Sequence, residues 1–592
     1  METLQKLSRM PIWLTVPALA ILLVVFGVPM VLLFLTSLNA PALSIVNYQS
    51  FLIQPANVRV LFQTIEVSVV ATAICLLLGY PMAYLIAIAS KHLRAVLIVL
   101  TFIPWLTSGV VRTYAWTVIL GDRGLINSLL LKMGLISSPL ELIYNRTAVY
   151  IGIVHIMLPV MILPLLSVMM GIDKSLMAAA NSMGARPFAS FWRVFFPLSL
   201  AGVRSGVLLV FVGSLGFYIT PAALGGLRDA MLSNFIASQM AASIDLGPVA
   251  ASAFILLGIA AFALSIFGLN LSTQHGVVVQ KERKSWQLSL LAFRSVTVHV
   301  NEVAASFKAA RWRVQLYQAA GKGNRSKLIG IFFMVAVMIY LQFPGLIVIA
   351  MSFSAGAVLE FPPSGFSLQW YRSFFGDPTW TDAFWASLQV AIIVAILSTI
   401  VGTLAAFGLS RTSPRVRSFL TLAILMPITF PLIVVGVAIY FGLVKLGLIG
   451  TATGLVLAHS VGAMGTVVVI VSANLSNFDR RLEQAAMSMR AGPLQTFSKI
   501  TIPLIRPGII GGAVFAFIHS FDEVVVTSLV SGFSIRTLPL KMLENISNQI
   551  DPTIAAVGSL LTVLPVLWLI ALYFTWWKSR PLARKVHAEP LI

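Results

Sequence analysis

Long apolar stretches alternate with short polar ones along almost the whole chain. Twelve apolar stretches lie near 12–37, 62–89, 96–120, 147–170, 199–221, 248–271, 328–352, 384–410, 416–441, 447–474, 507–531 and 554–577. Stretches of about 18 residues or more with few charges are long enough to cross a hydrocarbon layer about 30 Å thick. The pattern therefore predicts an all-α polytopic membrane protein with about twelve transmembrane helices.

A polar segment between two of these stretches repeats an earlier one. Residues 176–202 and 482–508 carry identical residues at eleven positions when the sequence is shifted by 306 residues (482 − 176). Each copy follows the fourth and precedes the fifth stretch in a set of six. The chain is therefore predicted to be a parallel duplication, because six spans return each half to the same orientation. The predicted halves are 1–271, with its polar loop at 171–197, and 328–592, with its loop at 475–506.

The segment between the halves, 272–327, is polar and basic. It holds ten Lys and Arg from Lys281 to Lys327, and its only acidic residues are Glu282 and Glu302. One interpretation is a solvated cytoplasmic linker that joins two halves, each of which could have been a separate chain. The alternative is an amphipathic helix within 285–320 that lies against lipid headgroups or a partner.

Composition supports the membrane assignment and explains the charge. Hydrophobic residues make up 58% of the chain and charged residues 10%, whereas soluble domains carry about 25% charged residues. The net charge of +21 suggests a polyanionic partner, but with the N-terminus inside, Lys and Arg concentrate in the inside segments. We therefore expect a multi-pass protein of a bacterial inner membrane with both termini in the cytoplasm, in contact with lipid and not with nucleic acid.

The repeated loops show a helical stripe of small and apolar residues. Leu176, Ala179, Ala180 and Met183 recur at spacings of three and four, as do Leu482, Ala485, Ala486 and Met489. A short helix with alanines on one face is able to lie deep in a partner's groove. The alternative is an amphipathic connection that packs on the protein itself. Two copies at matching positions favour the docking interpretation.

The loop spacing E-A-A-x3-G-x9-I-x-L-P resembles the cytoplasmic coupling loop of permease subunits of type I ABC importers. The first copy matches at Ala178, Ala179, Ala180 and Gly184, and the second at Gln484, Ala485, Ala486 and Arg490. The resemblance implies that one ATPase subunit docks at each loop. Neither copy keeps the glutamate, and Arg490 in place of glycine argues against a left-handed turn there.

The resemblance extends over both halves. GYPMAYLIA at 79–87, VRTYAW at 111–116 and GFYITPAALGG at 216–226 are similar to the B-type permease of spermidine/putrescine importers. FPPSGFSLQWYRSFF at 361–375, SFDEVVVTSLVSG at 520–532 and TLPLKMLENI at 537–546 resemble its C-type partner. The resemblance implies the type I ABC importer permease fold, with both permeases fused in one chain.

The sequence offers no nucleotide, metal or disulfide site. The nearest approach to a phosphate loop is AAGKGN at 319–324, where Gly323 stands in place of the Ser or Thr that binds magnesium. The seven His and the single Cys75 show no metal-ligand spacing and allow no disulfide within the chain. We expect no catalytic residue, no metal and no cofactor in this chain, with ATP and Mg²⁺ on a separate ATPase.

Polar residues inside the predicted spans mark a candidate solute pathway, because charges in the bilayer are costly. Ser520, Asp522 and Glu523 interrupt the eleventh stretch, and Tyr218 lies at the equivalent level of the first half. Asp522 and Glu523 are candidates to compensate a desolvated cation, although a structural cap or an ion pair is the alternative. One-residue spacing on a helix predicts that only one of them faces the cavity.

Two further expectations concern the same region. Glu66 and Arg112 fall near one side of the predicted bilayer and are expected to pair, most simply as a structural ion pair. Six aromatic residues are candidates for a cation-binding box or for interfacial belts, namely Trp105, Tyr114, Trp116, Tyr218, Trp370 and Tyr371.

These observations predict the transmembrane permease of an ATP-driven importer for a polyamine or a similar small cation. Two ATPase subunits at the loops and a periplasmic solute-binding protein are the expected partners, the latter contacting 38–61, 122–146, 222–247, 354–383 and 532–553. An importer of an opine, amino acid, aminophosphonate or ferric iron is an alternative of the same architecture. An ion-coupled secondary carrier and a membrane sensor are alternatives of other classes.

Overall fold

The structure, a computed structural model, describes residues 11–39, 41–226, 228–243, 245–267, 325–356, 361–363, 365–532, 534–548, 551–564 and 567. These residues form helices joined by short connections, without a β-strand in any of those ranges. The predicted linker 272–327 lies outside the described residues except for its last three, which begin a helix at Arg325.

The described residues of the first half form twelve helices. They are α1 Ile12–Ser37, α2 Val46–Ile53, α3 Pro55–Ile88, α4 Lys91–Leu106, α5 Gly109–Leu120, α6 Leu125–Lys132, α7 Arg146–Gly171, α8 Lys174–Ser182, α9 Pro187–Leu215, α10 Ile219–Leu224, α11 Leu232–Ala242 and α12 Gly247–Phe267.

The second half repeats this order except for a counterpart of α6. Its helices are α13 Arg325–Ser352, α14 Gln369–Gly376, α15 Pro378–Ser410, α16 Pro414–Thr429, α17 Leu432–Lys445, α18 Ala452–Ser476, α19 Arg481–Ser488, α20 Pro493–Phe521, α21 Val525–Val530, α22 Leu538–Asn548 and α23 Thr553–Leu564. The protein is thus an all-α, multi-pass membrane protein in which the duplication extends beyond the loops.

Nine described helices are long and apolar enough to span a membrane, and two bent pairs raise the number to eleven. The straight spans predicted at 96–120 and 416–441 are wrong in detail. The α4–α5 pair bends by 92° and the α16–α17 pair by 102°, each across a break of two residues. Pro104 and Pro427 lie in the last turn before each break, where they disrupt the helical hydrogen-bond ladder. The twelfth predicted span begins with α23 and continues outside the described residues.

The fifth spans begin earlier than the sequence suggested. α9 starts at Pro187 rather than at 199, and its counterpart α20 starts at Pro493. A π-helical turn at Phe191–Phe195 precedes Pro197, and a second at Phe497–Thr501 precedes Pro503. Such a turn accommodates a proline, which has no N–H to donate, without ending the helix. Each helix therefore runs without a break from the polar loop into the apolar bundle.

The two halves exchange their first helices. α1 packs against α15 and α17 of the second half, and α13 packs against α4 and α5 of the first half. α5 is buried from Val110 to Leu120, so its apolar surface is covered on every side. The hydrophobic cores therefore combine residues of both halves.

Candidate functional site

Four helix breaks meet where the halves contact each other. The bends between α4 and α5 and between α16 and α17 form one pair, and the breaks at 216–218 and 522–524 form the other. The two breaks of the second pair lie 306 residues apart, as the two loops do. Residues at all four breaks line a cavity of about 650 Å³, which we call the central cavity. Broken helices around a shared cavity are a common way to build a solute site inside a membrane.

The two halves contribute chemically different walls to the central cavity. The second half supplies His459, Thr466, His519, Asp522 and Glu523, while the first half supplies mainly apolar residues together with Tyr218 and Arg112. At the 306-residue offset, Gly213, Gly216 and Phe217 of the first half correspond to His519, Asp522 and Glu523. The duplication has thus diverged at these positions, where polar residues of the second half face apolar or small residues of the first in the alignment.

Asp522 links the two halves at the cavity. Its Oδ2 accepts a hydrogen bond of 3.2 Å from the backbone N–H of Gly109, the first residue of α5. The positive end of the α5 dipole favours a carboxylate at this position. Its Oδ1 is buried without a hydrogen-bond partner. Asp522 therefore keeps one unused acceptor.

Glu523 is also a cavity residue, and it has a structural contact as well. Its side chain is buried, and Oε1 accepts a hydrogen bond of 2.9 Å from the backbone N–H of Val526. This bond caps α21, as the alternative to a pathway role predicted. The expectation that only one of the two carboxylates faces the cavity is wrong, because α20 ends at Phe521 and both residues line the cavity.

Ser520 lies behind the cavity wall, where it holds a histidine that sequence reasoning missed. His459 Nδ1 is 2.8 Å from Ser520 Oγ, and its Nε2 is 2.9 Å from Thr527 Oγ1. His459 lines the cavity. Its signal in the sequence is a single imidazole within an otherwise apolar stretch, which by itself does not separate a cavity residue from a core residue.

The six aromatic candidates do not assemble into one box. Tyr218 and Trp105 line the central cavity. Trp116 instead packs against His155 and Tyr340, with ring centroids 5.7 and 5.6 Å apart. The remaining three lie elsewhere: Tyr114 is fully buried beside α10, while Trp370 and Tyr371 belong to α14.

The predicted ion pair between Glu66 and Arg112 is wrong. Glu66 pairs with Arg146 at 3.0 Å, and Arg146 also contacts Asp229 at 3.4 Å. Arg112 instead lies at the central cavity, where its charge interacts with that of Asp522. The sequence places residues by depth in the membrane but does not say which side of a helix they occupy.

Gly216 has no room for a side chain. A Cβ on Gly216 would lie 3.0 Å from the backbone N of Leu432 and 3.2 Å from Cα of Pro431. These atoms belong to the other half, at the start of α17. The close approach is the counterpart of the contact between Asp522 and α5, here made by backbone alone.

We predict that Gly216→Ala will weaken the contact between the halves. Overpacking of this kind costs about 1–3 kcal/mol, so we expect a lower thermal midpoint in detergent and reduced transport. Gly258→Ala is the matched control, because a Cβ at Gly258 of α12 meets nothing within 4 Å. A Gly216→Ala protein as stable and active as the control would contradict the close approach.

The first polar loop presents an exposed helix, α8. Ala178 and Ala179 are exposed and Ala180 is buried, while Met183 is 82% exposed. Gly184 has a φ of 84°, the left-handed conformation that ends the helix. Asp173 caps α8 through a 2.9 Å bond from Ser175 N, which lowers the pKa of the Asp173 carboxyl below its usual value.

The second loop presents α19 in the same way. Gln484 and Ala485 are exposed, Ala486 is half-buried, and Met489 is 84% exposed. Arg490 has a φ of 64°, so the left-handed turn is present despite the missing glycine, and that expectation is wrong. A six-to-one hydrogen bond of 3.1 Å, donated by Ala491 N–H to the carbonyl oxygen of Ala486, closes the helix at this turn.

The two loop helices are anchored by different contacts. Glu483 of α19 is buried, pairs with Arg411 and accepts a 2.6 Å hydrogen bond from Thr501 Oγ1. The 306-residue counterparts of Glu483 and Thr501 are Met177 and Phe195, which belong to one apolar cluster. The second loop is thus held by a polar network where the first is held by apolar packing.

Comparison with known proteins gives one family match and several relatives. Residues 398–579 match the family described as the inner membrane component of binding-protein-dependent transport systems. The chain is 36% identical over 197 residues to the spermidine/putrescine transport system permease protein PotB of Haemophilus influenzae, covering 33% of this chain and 68% of that protein. It is 34% identical over 188 residues to PotB of Escherichia coli K12, covering 32% and 68%.

A third relative is the spermidine/putrescine transport system permease protein PotC of Escherichia coli K12. It is 30% identical over 239 residues, which cover 40% of this chain and 90% of PotC. The chain thus spans about two thirds of the PotB relatives and most of PotC. Relatives of two different permeases match one chain that contains two similar halves.

Proposed function

We propose a function from one premise: the chain belongs to the family of binding-protein-dependent transport permeases. In this proposal it is the membrane-embedded part of an ATP-driven importer that carries a small organic cation of the polyamine class. The names of the PotB and PotC relatives supply the substrate class. The first half takes the PotB role and the second half the PotC role, with both termini on the cytoplasmic side of a bacterial inner membrane.

The observation that carries the proposal is the composition of the central cavity. Asp522, Glu523 and His519 supply polar groups at the cavity that suit ammonium groups. Apolar residues of the first half, Met157 and Phe217 among them, suit the methylene chain between the ammonium groups. A cation that leaves water needs both compensating charge and hydrogen-bond acceptors.

In this proposal, separate ATPase subunits supply the energy for transport by hydrolysing ATP. Each binds one of the exposed loop helices, α8 or α19, and a periplasmic binding protein delivers the solute to the opposite face. α9 and α20 have 29 residues each and so are about 43 Å long at 1.5 Å per residue. Each runs from the loop side to a cavity break, at 216–218 or 522–524. A shift of the loops is therefore transmitted along a rigid helix to the cavity.

Reconstitution in proteoliposomes tests the function. The permease is combined with a candidate ATPase and a candidate solute-binding protein from the same organism, and uptake of radiolabelled putrescine or spermidine is followed with and without internal ATP. We expect uptake that requires ATP, the ATPase and the binding protein. Uptake driven by an ion gradient without the ATPase would identify a secondary carrier.

A competition panel tests the cargo separately. Unlabelled polyamines should block uptake, whereas an opine, arginine, 2-aminoethylphosphonate and ferric iron should not. Competition by one of these compounds, with no inhibition by polyamines, would retain the importer but replace its cargo.

A further inference from the structure

We propose that Arg112 is an internal competitor of the cargo. In the empty cavity its charge offsets that of Asp522 without a direct ion pair, and when the cargo arrives its guanidinium moves towards His155. This inference rests on the proposed function, since it requires a cationic cargo. It assigns a role in solute release to a residue of the first half.

Arg112 is positioned between two cavities. It lies three residues after Gly109 on α5, one turn from the N–H that binds Asp522. Its side chain is 6% exposed, and it lines both the central cavity and a smaller cavity of about 180 Å³. The smaller cavity lies between α4, α5, α7, α13 and α23, and His155 is part of its wall. A guanidinium on a long side chain therefore has space on both sides.

Three buried polar groups around these cavities lack hydrogen-bond partners. They are Nε and Nη1 of Arg112, Oδ1 of Asp522 and Nδ1 of His155. An unsatisfied buried polar group destabilises a protein, and the more so when it is charged. Such groups are rare in native proteins, and each calls for a functional or structural reason. The donors belong to Arg112. The acceptors are Asp522 Oδ1 at the central cavity and His155 Nδ1 at the smaller cavity.

His155 is built as an acceptor for the smaller cavity. Its Nε2 is 3.1 Å from the backbone carbonyl oxygen of Leu341, which only accepts, so Nε2 carries the hydrogen. Nδ1 of the neutral ring is then an acceptor. The rings of Trp116 and Tyr340, with centroids 5.7 and 5.4 Å away, hold the imidazole in place. The ring is therefore oriented before any guanidinium approaches.

A competing cation would help to release the cargo from Asp522 and Glu523. Two carboxylates in a desolvated cavity would hold a polyamine tightly and release it slowly. Transport requires binding that is strong enough for entry and weak enough for exit. A tethered guanidinium that returns to Asp522 displaces the ammonium group and favours release.

Arg112→Gln tests the competition. Binding of radiolabelled putrescine is measured on the permease in nanodiscs without the binding protein, and ATP-driven uptake is measured on the complete system. We expect Arg112→Gln to bind putrescine about tenfold more tightly, because a positive charge that competes for Asp522 is removed, while its maximal uptake rate falls. Arg112→Lys should stay close to wild type. Arg415→Gln, at an exposed arginine of α16, is the matched control.

Variants at the two acceptors separate competition from a purely structural role. His155→Phe removes the second resting place, so putrescine binding should weaken, whereas His155→Gln, which keeps an acceptor, should bind almost normally. The double variant Arg112→Gln with Asp522→Asn should transport faster than Asp522→Asn alone, because no uncompensated charge remains. Size-exclusion profiles establish that each variant assembles.

The outcomes distinguish the inference from the proposed function. If wild-type permease neither binds nor transports polyamines, the cargo assignment is wrong and the competition falls with it. If wild type does both, but Arg112→Gln weakens binding as well as uptake, the competition is overturned while the function stands. A double variant as slow as the slower single variant would likewise assign Arg112 to structure alone.

Discussion

Replacing Asp522 by asparagine together with Glu523 by glutamine will lower uptake of a cationic solute by about tenfold to a hundredfold. A hydrogen bond to a charged group is worth about 1.5–3 kcal/mol, and both carboxylates line the central cavity. The amides keep an oxygen that accepts from Gly109 and Val526, so the contacts with α5 and α21 survive. We therefore expect assembly and ATPase docking to remain normal. Uptake assays and size-exclusion chromatography of the complex measure the two properties.

The matched control for this double variant is Asp382→Asn. Asp382 is an exposed carboxylate of the second half and does not line the central cavity. Its loss changes the net charge of the chain by one without changing the cavity. Normal uptake by the Asp522 and Glu523 double variant would remove both carboxylates from the pathway.

Glu483→Ala will uncouple ATP hydrolysis from transport. Breaking a buried ion pair costs about 3–5 kcal/mol, with the lower end expected here because Arg411 is 19% exposed. Without Glu483, α19 loses its links to Arg411 at the end of α15 and to Thr501 in α20. The loop helix is then free to move without carrying α20 along. We expect the variant complex to hydrolyse ATP while uptake falls at least about tenfold, on the scale of about 1.4 kcal/mol per tenfold change.

Two further variants serve as a graded comparison and a control for Glu483→Ala. Thr501→Val removes one hydrogen bond of the network, so it should show a smaller loss of uptake per ATP hydrolysed. Ser498→Ala, at an exposed position of the same π-helical turn, should behave as wild type. Equal ratios of uptake to hydrolysis in wild type and Glu483→Ala would show that the network serves only to hold α19 in place.

The sequence predicts the duplication and the membrane character well because both rest on long patterns. Twelve apolar stretches and the 306-residue repeat are signals summed over many residues, so single exceptions do not obscure them. The relatives support the same interpretation, with PotB and PotC each matching part of the chain.

The bends of the third span in each half were not predictable from hydropathy. α5 is buried on all sides, and it is apolar apart from Arg112 and its two threonines, so it resembles part of a membrane span. An apolar run of this kind reads as one straight span whether it crosses the membrane or turns within it. The local signals are Pro104 followed by Ser108, which caps α5 through a 3.2 Å bond to Val110 N.

The candidate site was predicted in part for the same reason. Asp522 and Glu523 stood out as charges within an apolar stretch, and the structure places both at the central cavity. Arg112 stood out too, but its partner was missed, because the contact of α5 with residue 522 joins segments that are distant in sequence. Depth in the bilayer follows from counting residues, whereas neighbours across the bundle depend on tertiary packing.

The exchange of first helices has a consequence for biosynthesis. α1 packs on helices that the ribosome makes only after the first half is complete, and one face of α5 remains uncovered until α13 has been inserted. The first half on its own therefore has packing surfaces that its own helices do not cover. A continuous chain keeps the two partners together from the moment of synthesis, which is an advantage that two separately translated permeases must obtain by diffusion and collision.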